Sequence, residues 1–216
     1  FCKGKILKTS AETAEMVKLS ENAFRDVNLA FANELSIICD KKNINIRELI
    51  KLANQHPRVN ILEPSCGVGG HCIAVDPWFL VSGSEDISTL IQTGRKVNEK
   101  KISWSIEKIK CLSSAFEKRF KRKPVVGCFG LTFKPNVEDL RNSPALTIVD
   151  ELIKQNYKIK ICEPNISKFR NFEIGDINDV ITKSDLLIFL VAHSVFRNIN
   201  LKGKDYIDFC GVVTNS

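Results

Sequence analysis

The amino-acid sequence predicts an α/β protein, with a helical region followed by a doubly wound parallel sheet. Two long segments, 11–39 and 87–120, repeat apolar residues at steps of three and four, as amphipathic helices do. After Lys123-Pro124 the pattern changes to short apolar strands that alternate with helical segments. Because this alternation is typical of parallel sheets, we expect the second region to bind a nucleotide at the carboxyl ends of its strands. We therefore divide the 216 residues into a helical domain at residues 1–88, a connecting long helix at residues 89–123 and an α/β domain at residues 124–216.

The first long helix has Ser10 as its N-cap, and no proline or glycine interrupts it. Lys18, Asn22 and Arg25 share one face of this helix, because they are spaced by four and three residues. A lysine, an amide and an arginine on one face can line an anionic site, although on spacing alone a solvated polar face is the alternative. The apolar stripe of the helix consists of Val17, Phe24, Val27, Phe31, Leu35 and Ile38.

A shorter helix is predicted over 46–54, with Asn45 as its N-cap. Pro57 excludes helix at the residue before it, so a loop over 55–72 follows. Polar groups on such a loop are more often functional than the same groups on a helix face. The loop carries His56, Arg58 and Asn60, and Asp76-Pro77 then restarts helical structure.

The α/β domain is predicted to have strands at 125–130, 157–162, 186–192 and 206–209, and helices at 144–155 and 176–183. Ser143 caps the first of these helices and Pro144 occupies its first turn. The loop 131–143 holds Lys134 and Arg141, whose side chains suit phosphates. Gly127 and Gly130 form only a GxxG pattern, so the sequence contains no GxGxxG dinucleotide fingerprint.

The net charge of +7 and the pI of about 9.0 favour an anionic partner such as a nucleotide or a phosphate. The dense basic run 118–123 is typical of a solvated helix end, so we do not expect nucleic acid as a partner. We find no signal peptide and no membrane span, since the longest apolar run, 186–192, suits a buried strand. The chain begins with Phe1 and not with methionine, and we expect it to be a piece of a longer protein.

The cysteines are scattered, which is typical of free thiols in a reducing cytoplasm and not of a disulfide framework. No pair has CxxC spacing, and the group His56, Cys66, His71 and Cys72 lacks a second ligand pair, so no metal site is expected. The eight positions are Cys2, Cys39, Cys66, Cys72, Cys111, Cys128, Cys162 and Cys210.

Cys72 stands apart from the other cysteines because it ends a glycine-rich turn, Gly67-Val68-Gly69-Gly70, and precedes Asp76 by four residues. Glycines let a reacting group approach the backbone closely, and their N–H groups can hold a developing oxyanion. A thiolate presented on such a turn is a strong nucleophile. The alternative is that Cys72 merely fills space.

Three motifs resemble the UDP-glucose/GDP-mannose dehydrogenase superfamily, and they occur in its order. The segment 14–26 (AEMVKLSENAFRD) resembles the central helix, 69–77 (GGHCIAVDP) the catalytic cysteine loop, and 130–144 (GLTFKPNVEDLRNSP) the opening of the UDP-binding domain. The strings 56–59 (HPRV) and 71–79 (HCIAVDPWF) resemble the branch of the family that acts on UDP-N-acetyl-D-mannosamine.

The resemblance implies a Rossmann-like UDP-binding domain, a central helical dimerisation domain and a four-electron, NAD-dependent oxidation of the sugar C6 alcohol to a carboxylate. The matching position implies that Cys72 is the nucleophile that traps the aldehyde as a thiohemiacetal. The thiohemiacetal is then oxidised to a thioester, which water cleaves. Lys18 is implied as the general acid/base or the cation that stabilises the oxyanion, Asn22 as a residue that holds that oxygen or a water, and Asp76 as an activator of water. Such sugar acids feed surface polysaccharides.

The resemblance also implies contacts to substrate and cofactor. The substrate contacts are Lys18, Asn22, Arg25, His56, Arg58, Gly69, Phe133 and Lys134, and the NAD contact is Arg141. Arg58 is expected to reach the site of the neighbouring subunit in a homodimer.

The chain departs from the family pattern at Cys66, where proline is usual, at Ala192, where aspartate is expected, and at Cys210, where a basic residue is usual. The N-terminal NAD-binding domain of the family is not in this sequence, so we expect the chain to be inactive alone. A UDP-N-acetylglucosamine or UDP-glucose 6-dehydrogenase is the near alternative. A non-catalytic remnant that binds UDP-sugars is a second alternative, and an unrelated α/β binding protein with incidental glycines is a third.

Overall fold

The computed structural model describes residues 4–201 and 203–213. Phe1 and Cys2, both named above, lie outside these residues. The order of elements is α1 (Ala11–Lys41), α2 (Ile46–Ala53), α3 (Asp76–Val81), α4 (Thr89–Phe120), β1 (Val125–Phe129), α5 (Pro144–Lys154), β2 (Lys158–Cys162), α6 (Ile177–Lys183), β3 (Leu186–Phe189) and β4 (Asp205–Asp208), with a 3-10 turn at Ser194–Phe196. The predicted fold class, a helical region followed by a parallel sheet, is confirmed.

Helix α1 begins where the sequence predicts, because the Ser10 Oγ atom accepts the Thr13 N–H at 3.2 Å. The buried side of α1, however, is not its apolar stripe. Val17, Phe24 and Phe31 are 52, 70 and 54% exposed, and Ile38 is also exposed. The buried side, which packs against α4 and α3, carries Asn22, Ala23, Asp26, Ala30, Ala32, Asn33, Ser36 and Cys39. The alternative of a solvated polar face is therefore wrong at Asn22, and most of the apolar stripe faces outward, with Val27 and Leu35 half-buried.

The physical reason lies in α4, which offers a polar partner surface to α1. The Arg95 guanidinium donates to Asp26 Oδ1 at 2.6 Å, and the Asn98 amide donates to the same oxygen at 2.8 Å. Burial raises the pKa of Asp26, although Arg95 and Asn98 act in the opposite direction. Gly94 allows the two helices to approach, since a Cβ atom there would lie 3.2 Å from the Val27 side chain. Polar groups on both helices thus pair in a buried seam, although Asp26 Oδ2 and Arg95 Nε have no hydrogen-bond partner there.

The four strands form one parallel sheet in the order β2-β1-β3-β4. Buried side chains cover both faces, as expected for a doubly wound domain. One face holds Phe129, Phe189 and Phe196, and the other holds Ile148, Leu152 and Ile188. The third strand is shorter than predicted, because the chain bends after Phe189. The segments that leave β1 and β3 meet the glycine-rich turn at the carboxyl edge of the sheet.

Among the residues that the structure describes, no helix is long and apolar enough to cross a bilayer.

Candidate active site

The glycine-rich turn lies directly against the α/β domain. A Cβ atom at Gly69 would overlap the Asn142 carbonyl oxygen, and one at Gly70 would stand 2.8 Å from the Phe133 ring. Gly70 also has φ +89°, a backbone conformation that favours glycine. The glycines are therefore required for contact between the turn and the loop that follows β1. This contact brings Cys72 beside Phe133 and Lys134.

A cleft of about 630 Å³ opens at this contact. Three segments line it, namely one side of α1, the glycine-rich turn and the loop after β1. Of the predicted site residues, the structure brings together Lys18, Asn22, Arg25, Gly69, Cys72, Phe133 and Lys134 around this cleft. These residues come from three distant stretches of the sequence, so the cleft is a product of the tertiary fold.

Asp76 joins the cleft through Asn22. The Asn22 amide donates to Asp76 Oδ2 at 2.5 Å, which fixes the carboxylate at the start of α3. The Asp76 N–H in turn donates to the Cys72 carbonyl oxygen at 2.7 Å. The Asp76 carboxylate is therefore bonded to α1 through Asn22, and its backbone is bonded to that of Cys72, whose thiol is partly buried.

The charge of the cleft is mainly positive. Lys18, Arg25 and Lys134 line it, and the carboxylate among its lining residues is that of Glu21, which pairs with Lys18 at 3.3 Å. Both members of that pair are well exposed, so the pair is weak and Lys18 can exchange its partner. The cleft is thus suited to an anionic ligand.

The structure does not bring His56, Arg58 and Arg141 to this cleft. His56 and Arg58 are exposed on the loop after α2, where His56 Nδ1 accepts the Arg58 N–H at 3.3 Å. Arg141 is exposed and pairs with Asp139 at 2.7 Å. The hydrogen bonds from Arg141 lower the pKa of Asp139 to about 2. The predicted ligand contacts of these three residues therefore stay predictions.

A second cleft, of about 240 Å³, adjoins the first one and shares Phe133 and Lys134 with it. The positions at which the sequence departs from the family pattern, Cys66, Ala192 and Cys210, all line this second cleft. Burial raises the pKa of Cys66 to about 12, so its thiol is inert, in contrast to a presented nucleophile. The three predicted departures from the family pattern thus lie together in one cleft.

Sequence reasoning missed two buried residues of the α/β domain next to these clefts. Glu163 follows β2 and His193 follows β3, and together they hold the loop that carries Phe133 and Lys134. A usable signal was present, because a charged or polar residue that follows an apolar strand of a parallel sheet lies at its ligand-binding edge.

The NAD that the resemblance implies does not fit the described residues. In the place of a dinucleotide cradle, Gly127 packs against Ser184 and Gly130 against Val191, so neither glycine opens toward a ligand. A Cβ atom at these positions would come within 2.6 and 2.5 Å of those side chains. Residues 4–201 and 203–213 also bring together no group of three His, Cys, Asp or Glu side chains that could hold a metal ion.

Comparison with known protein families identifies both regions of the chain. Residues 12–100 match the central domain of the UDP-glucose/GDP-mannose dehydrogenase family, and residues 127–214 match its UDP binding domain. The resemblance drawn from the three motifs is therefore confirmed.

Curated relatives agree with this assignment. A UDP-N-acetyl-D-mannosamine dehydrogenase of Campylobacter jejuni is 47% identical over 97% of this chain and 52% of its own length. The enzyme of the same name from Escherichia coli K12 is 48% identical over 93% of this chain and 50% of its own length. An NDP-N-acetyl-D-galactosaminuronic acid dehydrogenase of Ralstonia nicotianae is 45% identical over 98% of this chain and 51% of its own length. The chain spans about half the length of the curated relatives it matches.

Solved structures show the same architecture. The UDP-D-ManNAc dehydrogenase of Pyrococcus horikoshii superposes with a TM-score of 0.86 at 35% identity, over all of this chain and 52% of that protein. The UDP-N-acetyl-mannosamine dehydrogenase of Staphylococcus aureus superposes with a TM-score of 0.83 at 38% identity, over all of this chain and 51% of that protein.

Proposed function

Because the chain belongs to the UDP-glucose/GDP-mannose dehydrogenase family, we propose that it forms the nucleophile and UDP-sugar site of a UDP-N-acetyl-D-mannosamine 6-dehydrogenase. The observation that carries the proposal is the convergence of Lys18, Cys72 and Lys134 on one cleft. The names of the relatives from C. jejuni and E. coli support the choice of sugar.

The cleft orients the substrate by charge and by shape. Lys134 and Arg25 lie where they can neutralise a diphosphate, and the Phe133 ring forms an apolar wall beside the glycine-rich turn. The second cleft, which begins at the same Phe133 and Lys134, has room for the uridine end. With the diphosphate at Lys134, the sugar extends toward Cys72.

Cys72 provides the covalent step. Its sulfur adds to the carbonyl carbon of the C6 aldehyde, and the carbonyl oxygen takes up the proton as a thiohemiacetal forms. Loss of the hydroxyl proton and of a hydride from that carbon, which NAD would accept, would give a thioester, and a water molecule would then add to it. Release of the thiol completes the conversion of the aldehyde to a carboxylate.

The polar groups around Cys72 move the protons and hold the negative charge. Lys18 lines the same cleft as Cys72, and there it takes the alcohol proton and stabilises an oxyanion. Asn22 holds Asp76 at 2.5 Å, and this carboxylate accepts a proton from the water that cleaves the thioester. Bound NAD would accept the two hydrides. The described residues form no cradle for NAD, so they would hold the substrate and move its protons but would not hold the hydride acceptor.

The exposed stripe on α1 supports a homodimer. Val17, Phe24, Phe31 and Ile38 recur every seven residues and leave a row of apolar side chains exposed along most of the helix. A seven-residue repeat keeps these side chains in one row on the helix, as do the apolar positions of helices that pack side by side. A second copy of α1 is therefore the partner that we propose for this stripe.

The test is NADH production by the complete protein that contains this chain. The panel is UDP-N-acetylmannosamine, UDP-N-acetylglucosamine, UDP-glucose and UDP-N-acetylgalactosamine, the last because of the relative from R. nicotianae. We expect two NADH for each UDP-N-acetylmannosamine consumed, and loss of turnover by at least about a thousandfold in Cys72→Ala.

Cys111→Ala is the matched control, because Cys111 is exposed on α4 away from both clefts. It should keep full activity. Turnover of a different sugar would move the substrate assignment, and full activity of Cys72→Ala would overturn the covalent mechanism. UDP binding without turnover of any sugar would favour a non-catalytic binding protein.

A further inference from the structure

Two buried side chains at the carboxyl ends of β2 and β3 take no part in the chemistry proposed above. Glu163 is 2% exposed and His193 is fully buried. The His193 Nε2 atom lies 3.1 Å from Glu163 Oε2. A buried carboxylate and imidazole are costly to keep in a folded domain unless they are paired and hydrogen-bonded. Their other partners show what they hold.

The hydrogen bonds of His193 define its tautomer. Its Nδ1 atom accepts the Asn136 backbone N–H at 3.0 Å and lies 3.0 Å from the Asn165 side-chain amide nitrogen. An atom that accepts carries no hydrogen, so the proton of the neutral ring is on Nε2 and is donated to Glu163. Burial acts to raise the pKa of Glu163, but the hydrogen bonds from His193, Leu131 and Asn165 outweigh it, and the pKa lies below its usual value. Glu163 is therefore a carboxylate.

The same two side chains hold both ends of the loop after β1. Before the loop apex, Glu163 Oε2 accepts the N–H of Leu131 at 2.7 Å and that of Thr132 at 3.3 Å. After the apex, His193 receives the Asn136 N–H. The apex consists of Phe133 and Lys134, the two residues that line both clefts. Glu163 and His193 thus bind the backbone of the loop on either side of its ligand-facing residues.

The held loop determines the position of the cysteine loop as well. The Phe133 ring occupies the space that a Cβ atom at Gly70 would need, and it meets the His71 ring edge-on with centroids 6.1 Å apart. His71 immediately precedes Cys72. A displacement of the Phe133 ring would therefore be transmitted to the turn that presents the nucleophile.

We propose that Glu163 and His193 are positioning residues, which set Phe133 and Lys134 against the diphosphate of the UDP-sugar and against the Cys72 turn. This inference rests on the proposed function, because it assumes that Lys134 contacts that diphosphate. The pair touches neither the substrate nor the reacting atoms, and it acts through the backbone of residues 131–136.

The test compares three variants of the complete protein by UDP binding in calorimetry and by amide hydrogen exchange. Glu163→Gln removes the charge at constant shape. His193→Gln keeps a donor toward Glu163 but places no acceptor at the Nδ1 position that receives the Asn136 N–H. Asp185→Asn is the matched control, since Asp185 also binds a backbone N–H, that of Val125 at 2.8 Å, but at the opposite end of the sheet.

We expect UDP to bind about tenfold more weakly to Glu163→Gln and His193→Gln, with unchanged affinity in Asp185→Asn, because a displaced loop loses aligned contacts. Amide exchange should become faster at residues 131–136 in the first two variants alone. Equal UDP affinity in all four proteins would overturn the inference, even if the variants were less stable.

The two proposals can fail separately. If the unmodified protein does not bind UDP, the proposed function is overturned. The exchange data then test separately whether Glu163 and His193 hold residues 131–136 in place. Faster exchange confined to residues 131–136 would support the role of these two residues in holding the loop. Faster exchange spread over the whole α/β domain would show that Glu163 and His193 serve only its stability.

Discussion

At the scale of single residues, Lys101 shows how strongly burial can change the pKa of a side chain that nothing in the sequence distinguishes from other lysines. Lys101 is only 2% exposed, and its ammonium group donates to Ser36 Oγ at 2.7 Å and lies 3.8 Å from the centre of the Trp104 ring. Burial lowers the pKa of Lys101 to about 7, while Cys66 and Asp40 raise it and Arg47 and Lys108 lower it further. The folded state therefore favours the neutral amine above neutral pH.

The pKa of Lys101 predicts a pH dependence of stability. Between about pH 7 and pH 10 the unfolded chain keeps the lysine proton and the folded chain does not, so unfolding takes up a proton. The free energy of unfolding should then rise with pH, with a slope of at most about 1.4 kcal/mol per pH unit from this group. We expect the difference between the wild type and Lys101→Met, measured by urea unfolding at pH 7, 8 and 9, to follow this slope.

Lys100→Met is the control for Lys101, because Lys100 is the exposed neighbour on the same helix. The comparison between variants is needed because the buried thiols of Cys66 and Cys128, whose pKa values burial raises to about 12, also contribute to the pH dependence at high pH. If Lys101→Met and the wild type keep a constant difference from pH 7 to 9, the lysine is charged in the folded state and the pKa argument is wrong.

At the scale of elements, α1 uses its two sides in an unusual way. The polar side is buried in a seam with α4, where Arg95 and Asp26 form a pair that is almost fully shielded from solvent. The apolar side, with Phe24 and Phe31, is exposed. A buried pair of this kind adds little net stability, because the cost of removing both charges from water offsets their attraction. The apolar side remains available for an intermolecular contact.

The outward stripe predicts an association that depends on two phenylalanines. The double variant Phe24→Ser, Phe31→Ser should be monomeric where the wild type is a dimer, because each buried phenylalanine contributes about 1.5–3 kcal/mol to the contact. Sedimentation velocity at micromolar concentration measures the change. Glu15→Ser, which alters an exposed residue on the side of α1 that carries Asn22, should remain dimeric. A wild type that sediments as a monomer at these concentrations would contradict the dimer.

At the scale of the whole molecule, the glycine-rich turn joins the helical region to the α/β domain. Asn142 and Pro144 stand where a Cβ atom at Gly69 would have to lie, and Ile102 of α4 fills the corresponding space at Gly67. The Ser65 N–H also donates to Asn33 Oδ1 at 2.9 Å, which ties the start of the turn to α1. The two clefts exist because these contacts hold the two regions together.

A single methyl group should therefore disturb both regions at once. Gly69→Ala places its Cβ within 2.5 Å of the Pro144 ring, so either the turn or the loop must shift. We expect a loss of about 1–3 kcal/mol of stability, as for overpacking in a core, and at least about tenfold weaker UDP binding. Thermal unfolding and calorimetry measure the two effects.

Gly83→Asn is the control for Gly69→Ala. A Cβ atom at Gly83 meets nothing within 4 Å, and asparagine tolerates the φ of +76° found there. This variant should bind UDP as the wild type does. Normal UDP binding by Gly69→Ala would show that the turn and the α/β domain are not held in the contact described here.

Much of the structure follows from local sequence signals. Ser10, Asn45 and Ser143 cap their helices as predicted, since a short polar side chain before an apolar run satisfies the first free N–H groups wherever it occurs. The alternation of strands and helices after residue 124 likewise predicted the parallel sheet. The glycine-rich turn at Cys72 and the order of the three motifs were sufficient to predict the family and most residues of the cleft.

Only the tertiary structure decided which side of α1 is buried and how Glu163 and His193 meet. The apolar stripe of a helix predicts the core only when the partner surface is apolar, and α4 presents Arg95 and Asn98 instead. Glu163 and His193 are 30 residues apart and come together because β2 and β3 lie on either side of β1. Helix and strand formation depends on neighbours along the chain, whereas burial and buried hydrogen bonds depend on residues that only the folded chain brings into contact.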